Sequence, residues 1–173
     1  LLRVVVNRVL LFTRPWIITT VFCIVFVDRA AASWAPDSQN RNPVITPLPH
    51  LVDPLQSLAA VALAFAGVAL VGGWRPGEAG RTLIAAGLAL IISVALKEQL
   101  KFVFGRTWPE TWVGHNPSWI TDGAYGFHFF HGGEGWASFP SGHMTQISAV
   151  AAVLWWRIRP LRWLWAALAA LVA

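Results

Sequence analysis

The stretch that decides the fold starts at Lys97-Glu98-Gln99-Leu100-Lys101, passes through Gly105-Arg106-Thr107-Trp108-Pro109 and ends at Pro140-Ser141-Gly142-His143. An apolar run, residues 82–96, leads into it, and a second, residues 139–156, leaves it. Cations, a Ser-Gly turn and a histidine stand where two apolar segments meet a polar loop. With the residues up to Lys101 added, the first run is about 20 residues long, or about 30 Å as a helix, which matches the hydrocarbon core of a bilayer. The pattern predicts two membrane-crossing helices whose facing ends hold an anion site.

Composition agrees. The chain has 173 residues, is 56% hydrophobic and 12% charged, and has a mean hydropathy of +0.56. Ordinary soluble domains carry roughly twice that share of charge. Eleven tryptophans suit a protein that sits at the headgroup level. The net charge is +5. Its basic residues lie between apolar runs and form no continuous polar stripe, so no nucleic-acid partner is expected. Cys23 is the single cysteine, which excludes an internal disulfide or a cysteine-based metal centre.

Outward from the central stretch, the remaining runs order themselves as spans. Residues 15–27, extended by the small residues 30–35, approach the roughly 20 residues a span needs. A retained first span is favoured there over a secretory signal, which the basic start and short apolar core also resemble. Residues 36–54, rich in Pro, Asn and Asp, read as a loop. Residues 55–74 carry no charge and form a second span. A turn over 75–81 leads to the third, and the long loop 102–139 to the fourth, with Pro140 in its first turn. A fifth begins near Leu161. The expected fold is all-α, a polytopic transmembrane bundle, with a first span and outer loop over 1–54 and a core over 55–173. The chain starts at Leu1 and stops within an apolar run, and it is read as a piece of a longer protein with six spans.

Basic residues set the orientation. The amino end and the turns at 75–81 and 157–162 hold eight arginines and one acid, Glu78. The other loops set Arg29 and Arg41 against Asp28, Asp37 and Asp53, and Arg106 against Glu110, Asp122 and Glu134. The amino end is therefore expected in the cytoplasm and the 96–143 stretch at the outer face, which is periplasmic in a Gram-negative cell.

Within that stretch, Lys97 and Lys101 are four apart and share a helix face. Lys97 is the deeper and reads as structural, or as a partner of Glu98 or of a group on another helix; Lys101 sits where a cation suits the helix end. Arg106 offers a guanidinium, which binds phosphate oxygens in pairs. Pro140-Ser141-Gly142-His143 lies at a helix start, where free N–H groups and the helix dipole favour an anion. Gly142 allows close approach, Ser141 adds a hydroxyl, and His143 can deliver a proton near neutral pH. By residue usage such a string arises in about one chain in a thousand of this length. His115, His128 and His131 fit no standard zinc spacing. Trp108, Trp112, Trp119 and Trp136 read as interfacial anchors.

These motifs resemble those of the type 2 phosphatidic acid phosphatases, the PAP2 superfamily, relatives of vanadium haloperoxidases and glucose-6-phosphatase. The family's first motif is Lys, six residues, then Arg-Pro. Lys101 and Pro109 keep its spacing, with Trp108 in place of the Arg and Arg106 two residues earlier. The second motif, Pro-Ser-Gly-His, is matched in full by residues 140–143. The third is Ser-Arg, five residues, His, three residues, Asp, and is expected beyond Ala173. The resemblance spans about residues 55–173.

The resemblance implies an integral membrane phosphatase of lipid phosphates or pyrophosphates, such as phosphatidate, phosphatidylglycerophosphate, undecaprenyl pyrophosphate or lipid A. A histidine of the third motif would attack the phosphorus and form a phosphohistidine. His143 would protonate the leaving group, while Lys101, Arg106 and the N–H groups of Ser141 and Gly142 hold the phosphoryl oxygens. No metal or cofactor is implied, and the implied partners are the lipid substrate and the bilayer. Residues 1–173 alone are expected to lack turnover. Two alternatives stand beside this reading: an inactive, lipid-binding relative and a lipid phosphotransferase.

Overall fold

The computed structural model describes residues 2–39, 49–111 and 114–172; Arg41 and Trp112 lie outside them. The chain divides into two compact units, Leu1–Asn42 and Pro43–Ala173. Among the described residues all regular structure is helical, with isolated bridges where strands could have been. The all-α class expected from the apolar runs is the one observed.

The first unit holds α1 (Leu2–Phe26) and α2 (Asp28–Gln39). They meet at Val27, whose N–H still donates to the Cys23 carbonyl at 2.9 Å. Asp28 in the first turn of α2 suits the dipole at a helix start. Helix α1 carries the apolar segment Thr13–Phe26. Helix α2 runs to Gln39, into the segment expected to be loop from residue 36.

In the second unit a 3-10 turn, Pro49–Val52, leads into α3 (Asp53–Val71), with Pro54 in its first turn. Proline is tolerated there because that N–H has no helical partner. Helix α4 (Glu78–Phe104) is longer than the sequence pattern indicated at both ends. It starts four residues earlier than the apolar run, with Gly77 preceding Glu78. It ends at Gly105, which takes the left-handed conformation (φ +50°, ψ +51°) and donates its N–H to the Lys101 carbonyl at 2.8 Å. Helix α6 (Gly142–Arg157) begins later than expected. Ser141 is its cap, with Oγ accepting from the Met144 N–H at 3.4 Å, so Pro140 precedes the helix. Serine in an extended conformation makes this bond at low cost, which sets the boundary. Helix α7 (Arg162–Val172) follows a 3-10 turn.

Two segments, His50–Val71 and Glu78–Phe104, are long and apolar enough to cross a membrane, each with a mean hydropathy of 2.0. Their best windows are 0% and 22% buried. A core helix of a water-soluble domain would bury its apolar residues, whereas Phe65 and Val71 of α3 are 72% and 92% exposed. These outward faces associate the chain with a membrane. Helix α4 is central and packs on both α3 and α6, and α7 returns along α6. Leu90, 2% exposed, anchors the α4 core with Ala86 and Val94. Gly87 brings α4 so near α3 that an added Cβ would lie 3.1 Å from Leu63 Cγ.

Candidate functional site

The short link between α3 and α4 makes them antiparallel, so the start of α3 and the end of α4 share one end of the bundle. The start of α6 packs there too, against the 49–52 turn. Three helix ends thus converge, and Lys97, His50, Asp53 and His143 converge with them.

At the start of α6 the Ser141 hydroxyl accepts from Met144 N–H and keeps its own proton to donate. The N–H groups of Gly142 and His143 stand outside the helix's own ladder. The cation facing them is Lys97: an added Cβ at Gly142 would lie 3.6 Å from Lys97 Nζ. Lys97 is 7% exposed and pairs with Glu98, whose carboxylate reaches the surface. The sequence pattern marked Lys97 as structural. It is the buried one of the two lysines, and the packing of α4 on α6 places its ammonium beside Gly142. Lys101, one turn on, is half-buried in the last turn of α4. Gln146 lies one turn beyond Gly142, buried, its Oε1 with no hydrogen-bond partner among the described residues.

His143 is held from the other side. Its Nε2 lies 3.1 Å from Asp53 Oδ1, and His50 Nδ1 lies 3.0 Å from Asp53 Oδ2. An ionised carboxylate only accepts, so each imidazole presents an N–H to it. That leaves Nδ1 of His143 as the atom that gains and loses a proton. The two rings stand edge to face, 5.7 Å apart. Neither His50 nor Asp53 was singled out in the sequence as a site residue. Asp53 lies 90 positions from His143, and no local pattern joins them.

The loop after α4 is folded, not open. Phe104, Phe127 and Phe139 form an aromatic cluster with ring separations of 5.2–6.0 Å. Arg106 is 8% exposed within this loop. Its Nη1 donates to Ser138 Oγ at 3.3 Å, and its guanidinium lies 5.4 Å from the Tyr125 ring and 5.7 Å from the Phe127 ring. The Ser138 N–H and hydroxyl return bonds to the Arg106 carbonyl. These contacts tie Arg106 into the loop. Trp108, where the family motif has Arg, donates Nε1–H to the Glu134 carbonyl at 2.6 Å. A short helix, α5 (Trp119–Asp122), is capped by Ser118, which is fully buried among Thr111 and Asp122. His128 and His131 both stand edge-on to Trp136 at 4.4 Å, so that tryptophan packs in the loop.

Residues 82–173 match the PAP2 superfamily, and the chain belongs to it. This is a helical, phosphatase-type superfamily, and the matched region contains α4, the loop and the Pro-Ser-Gly-His turn. Searches of curated proteins and of solved structures returned no match.

Proposed function

We propose that this protein is an integral membrane phosphatase that hydrolyses a lipid phosphate or pyrophosphate at the outer face of the plasma membrane. The observation that carries the reading is the Lys97 ammonium against the start of α6, beside a histidine held by Asp53. A phosphoryl group there meets a buried cation, two free N–H groups and the Ser141 hydroxyl, which suits charge developing on its oxygens. Lys101 adds positive charge at the rim, and Arg106 adds it from the loop. His143 gives its Nδ1 proton to the departing oxygen, and Asp53 steadies the imidazolium that precedes transfer. The attacking histidine implied by the family resemblance belongs to the third motif, which residues 1–173 do not contain. The apolar outer faces of α3 and α4 support a substrate that arrives from within the bilayer, and the arginine-rich turns support an extracytoplasmic site.

The test uses the full-length protein in detergent micelles with a chelator present. Phosphatidate, phosphatidylglycerophosphate, undecaprenyl pyrophosphate, lipid A and glycerol phosphate are offered in turn. Phosphate release from at least one lipid, well above that from glycerol phosphate, is expected. Binding of these lipids with turnover of none would replace the phosphatase by the lipid-binding reading. Appearance of a phosphorylated acceptor lipid would identify a phosphotransferase.

Gly142→Ala separates the cradle from the fold. The added methyl meets Lys97 Nζ at an ordinary 3.6 Å, so α6 should form as before. Alanine is also the better helix former. The methyl nevertheless fills the gap in which a phosphoryl oxygen would sit. The expected result is an undiminished melting temperature with kcat/KM down roughly ten- to a hundredfold. A variant that melts early would assign Gly142 to folding instead.

A further inference from the structure

We propose that His50, Asp53 and His143 form a binding site for a divalent transition-metal ion of the zinc class, and that filling it switches the phosphatase site off. The second half rests on the proposed phosphatase function; the first does not.

The donors come from two segments, the turn leading into α3 and the start of α6. One donor atom from each of the three lies within 4.8 Å of the others. Around a tetrahedral ion with bonds of about 2.0–2.1 Å, neighbouring donors are roughly 3.4 Å apart. The Asp53 carboxylate bridges the two rings, Oδ2 lying 3.0 Å from His50 Nδ1 and Oδ1 3.1 Å from His143 Nε2, so both imidazole nitrogens already face the one carboxylate. The rings approach from different directions, at 79° to one another, with the carboxylate between them.

The donor set selects the ion. Two imidazoles and a carboxylate suit zinc and its neighbours, with one position left open. Magnesium and calcium take oxygen ligands and are poorly served. The side chains of His50, Asp53 and His143 are 68%, 52% and 36% exposed, so an ion reaches them without unfolding. His50 and Asp53 are three apart at a helix start, which turns both toward one side. Binding exchanges two N–H···O contacts for metal bonds and releases protons.

The consequence follows from which atom is used. An imidazole bound through Nε2 is held neutral and no longer cycles its proton at Nδ1. His143 then cannot act as an acid, although Lys97 and the helix start still attract phosphate.

The experiment titrates the chelator-stripped, full-length protein with Co²⁺ and follows the visible absorption of tetrahedral cobalt. One equivalent per chain, displaced by Zn²⁺, is expected, and the band is lost in His50→Ala and in Asp53→Ala. No band in the unmodified protein, or a band unchanged in both variants, overturns the site. In parallel, Zn²⁺ should inhibit phosphate release and a chelator restore it. The half-inhibiting Zn²⁺ concentration should rise at least tenfold in His50→Ala, each protein being compared with its own metal-free rate. Cobalt binding with a zinc-insensitive rate overturns the switch. Cobalt binding without turnover on any substrate keeps the metal site and removes the phosphatase reading, so the two failures are distinguishable.

Discussion

Gly105→Ala is expected to destabilise the end of the bundle at which α4 closes by about 2–5 kcal/mol, the sum of a left-handed backbone penalty and an overpacking cost. The residue closes α4 at φ +50°, a region in which a side chain is strained. Space is the larger problem. An added Cβ would lie 1.9 Å from the His128 carbonyl oxygen and 2.9 Å from its carbon. Those are backbone atoms, and they are held: the His128 N–H donates to the Gly105 carbonyl at 2.9 Å, and the Phe130 N–H to the Val103 carbonyl at 3.0 Å. The chain cannot yield there without moving the segment that carries Phe127 and Phe129 off the aromatic cluster. Gly123→Ala is the control. It also has a positive φ, +68°, but nothing lies within 4 Å of its added Cβ. It should cost only the backbone penalty, about 1–2 kcal/mol. Thermal unfolding in detergent, followed by tryptophan fluorescence, compares the two. Equal shifts would mean that the close approach to His128 contributes nothing.

That glycine also marks how far the sequence could be read. Its position after an apolar run and before Arg106 fits a helix end. The left-handed cap is a local property, and helix-stop patterns contain it. The abutment on His128 is not local: it joins residues 23 apart through a fold with no repeating pattern. The same division runs through the site. Ser141, Gly142 and His143 were legible because they are contiguous and sit at a helix start. Lys97 read as the deeper of two lysines on one helix face, and it is the buried one, paired with Glu98. Its place beside Gly142 arises only when α6 is docked. Asp53 and His50 left no trace beyond loop composition, since their value arises only when three helix ends meet. Arg106 was legible by its charge, while its contacts with two rings and Ser138 exist only in the folded loop. The apolar spans needed no such docking, because hydropathy is a property of each residue alone.

His143→Gln is expected to lower kcat by roughly a hundredfold to ten-thousandfold, the range over which positioned acids and bases contribute. KM should change little. Lys97, the Gly142 N–H and the Ser141 hydroxyl remain, and these hold the phosphate in the ground state as well as in the transition state. Glutamine keeps a hydrogen bond to Asp53 within reach, so the start of α6 need not move. The acid role makes a sharper demand, which a merely structural histidine would not. An alkyl leaving oxygen needs a proton as its bond to phosphorus breaks. An aryl oxygen bearing a nitro group leaves as a stable anion and does not. The loss caused by His143→Gln should therefore be large on a lipid phosphate and at least tenfold smaller on a nitrophenyl phosphate, since the missing proton matters only for the first. Steady-state rates on both substrates, with each variant's melting temperature as a check on folding, decide the matter. An equal loss on the two would assign His143 to holding the phosphoryl group, and proton delivery would have to come from elsewhere.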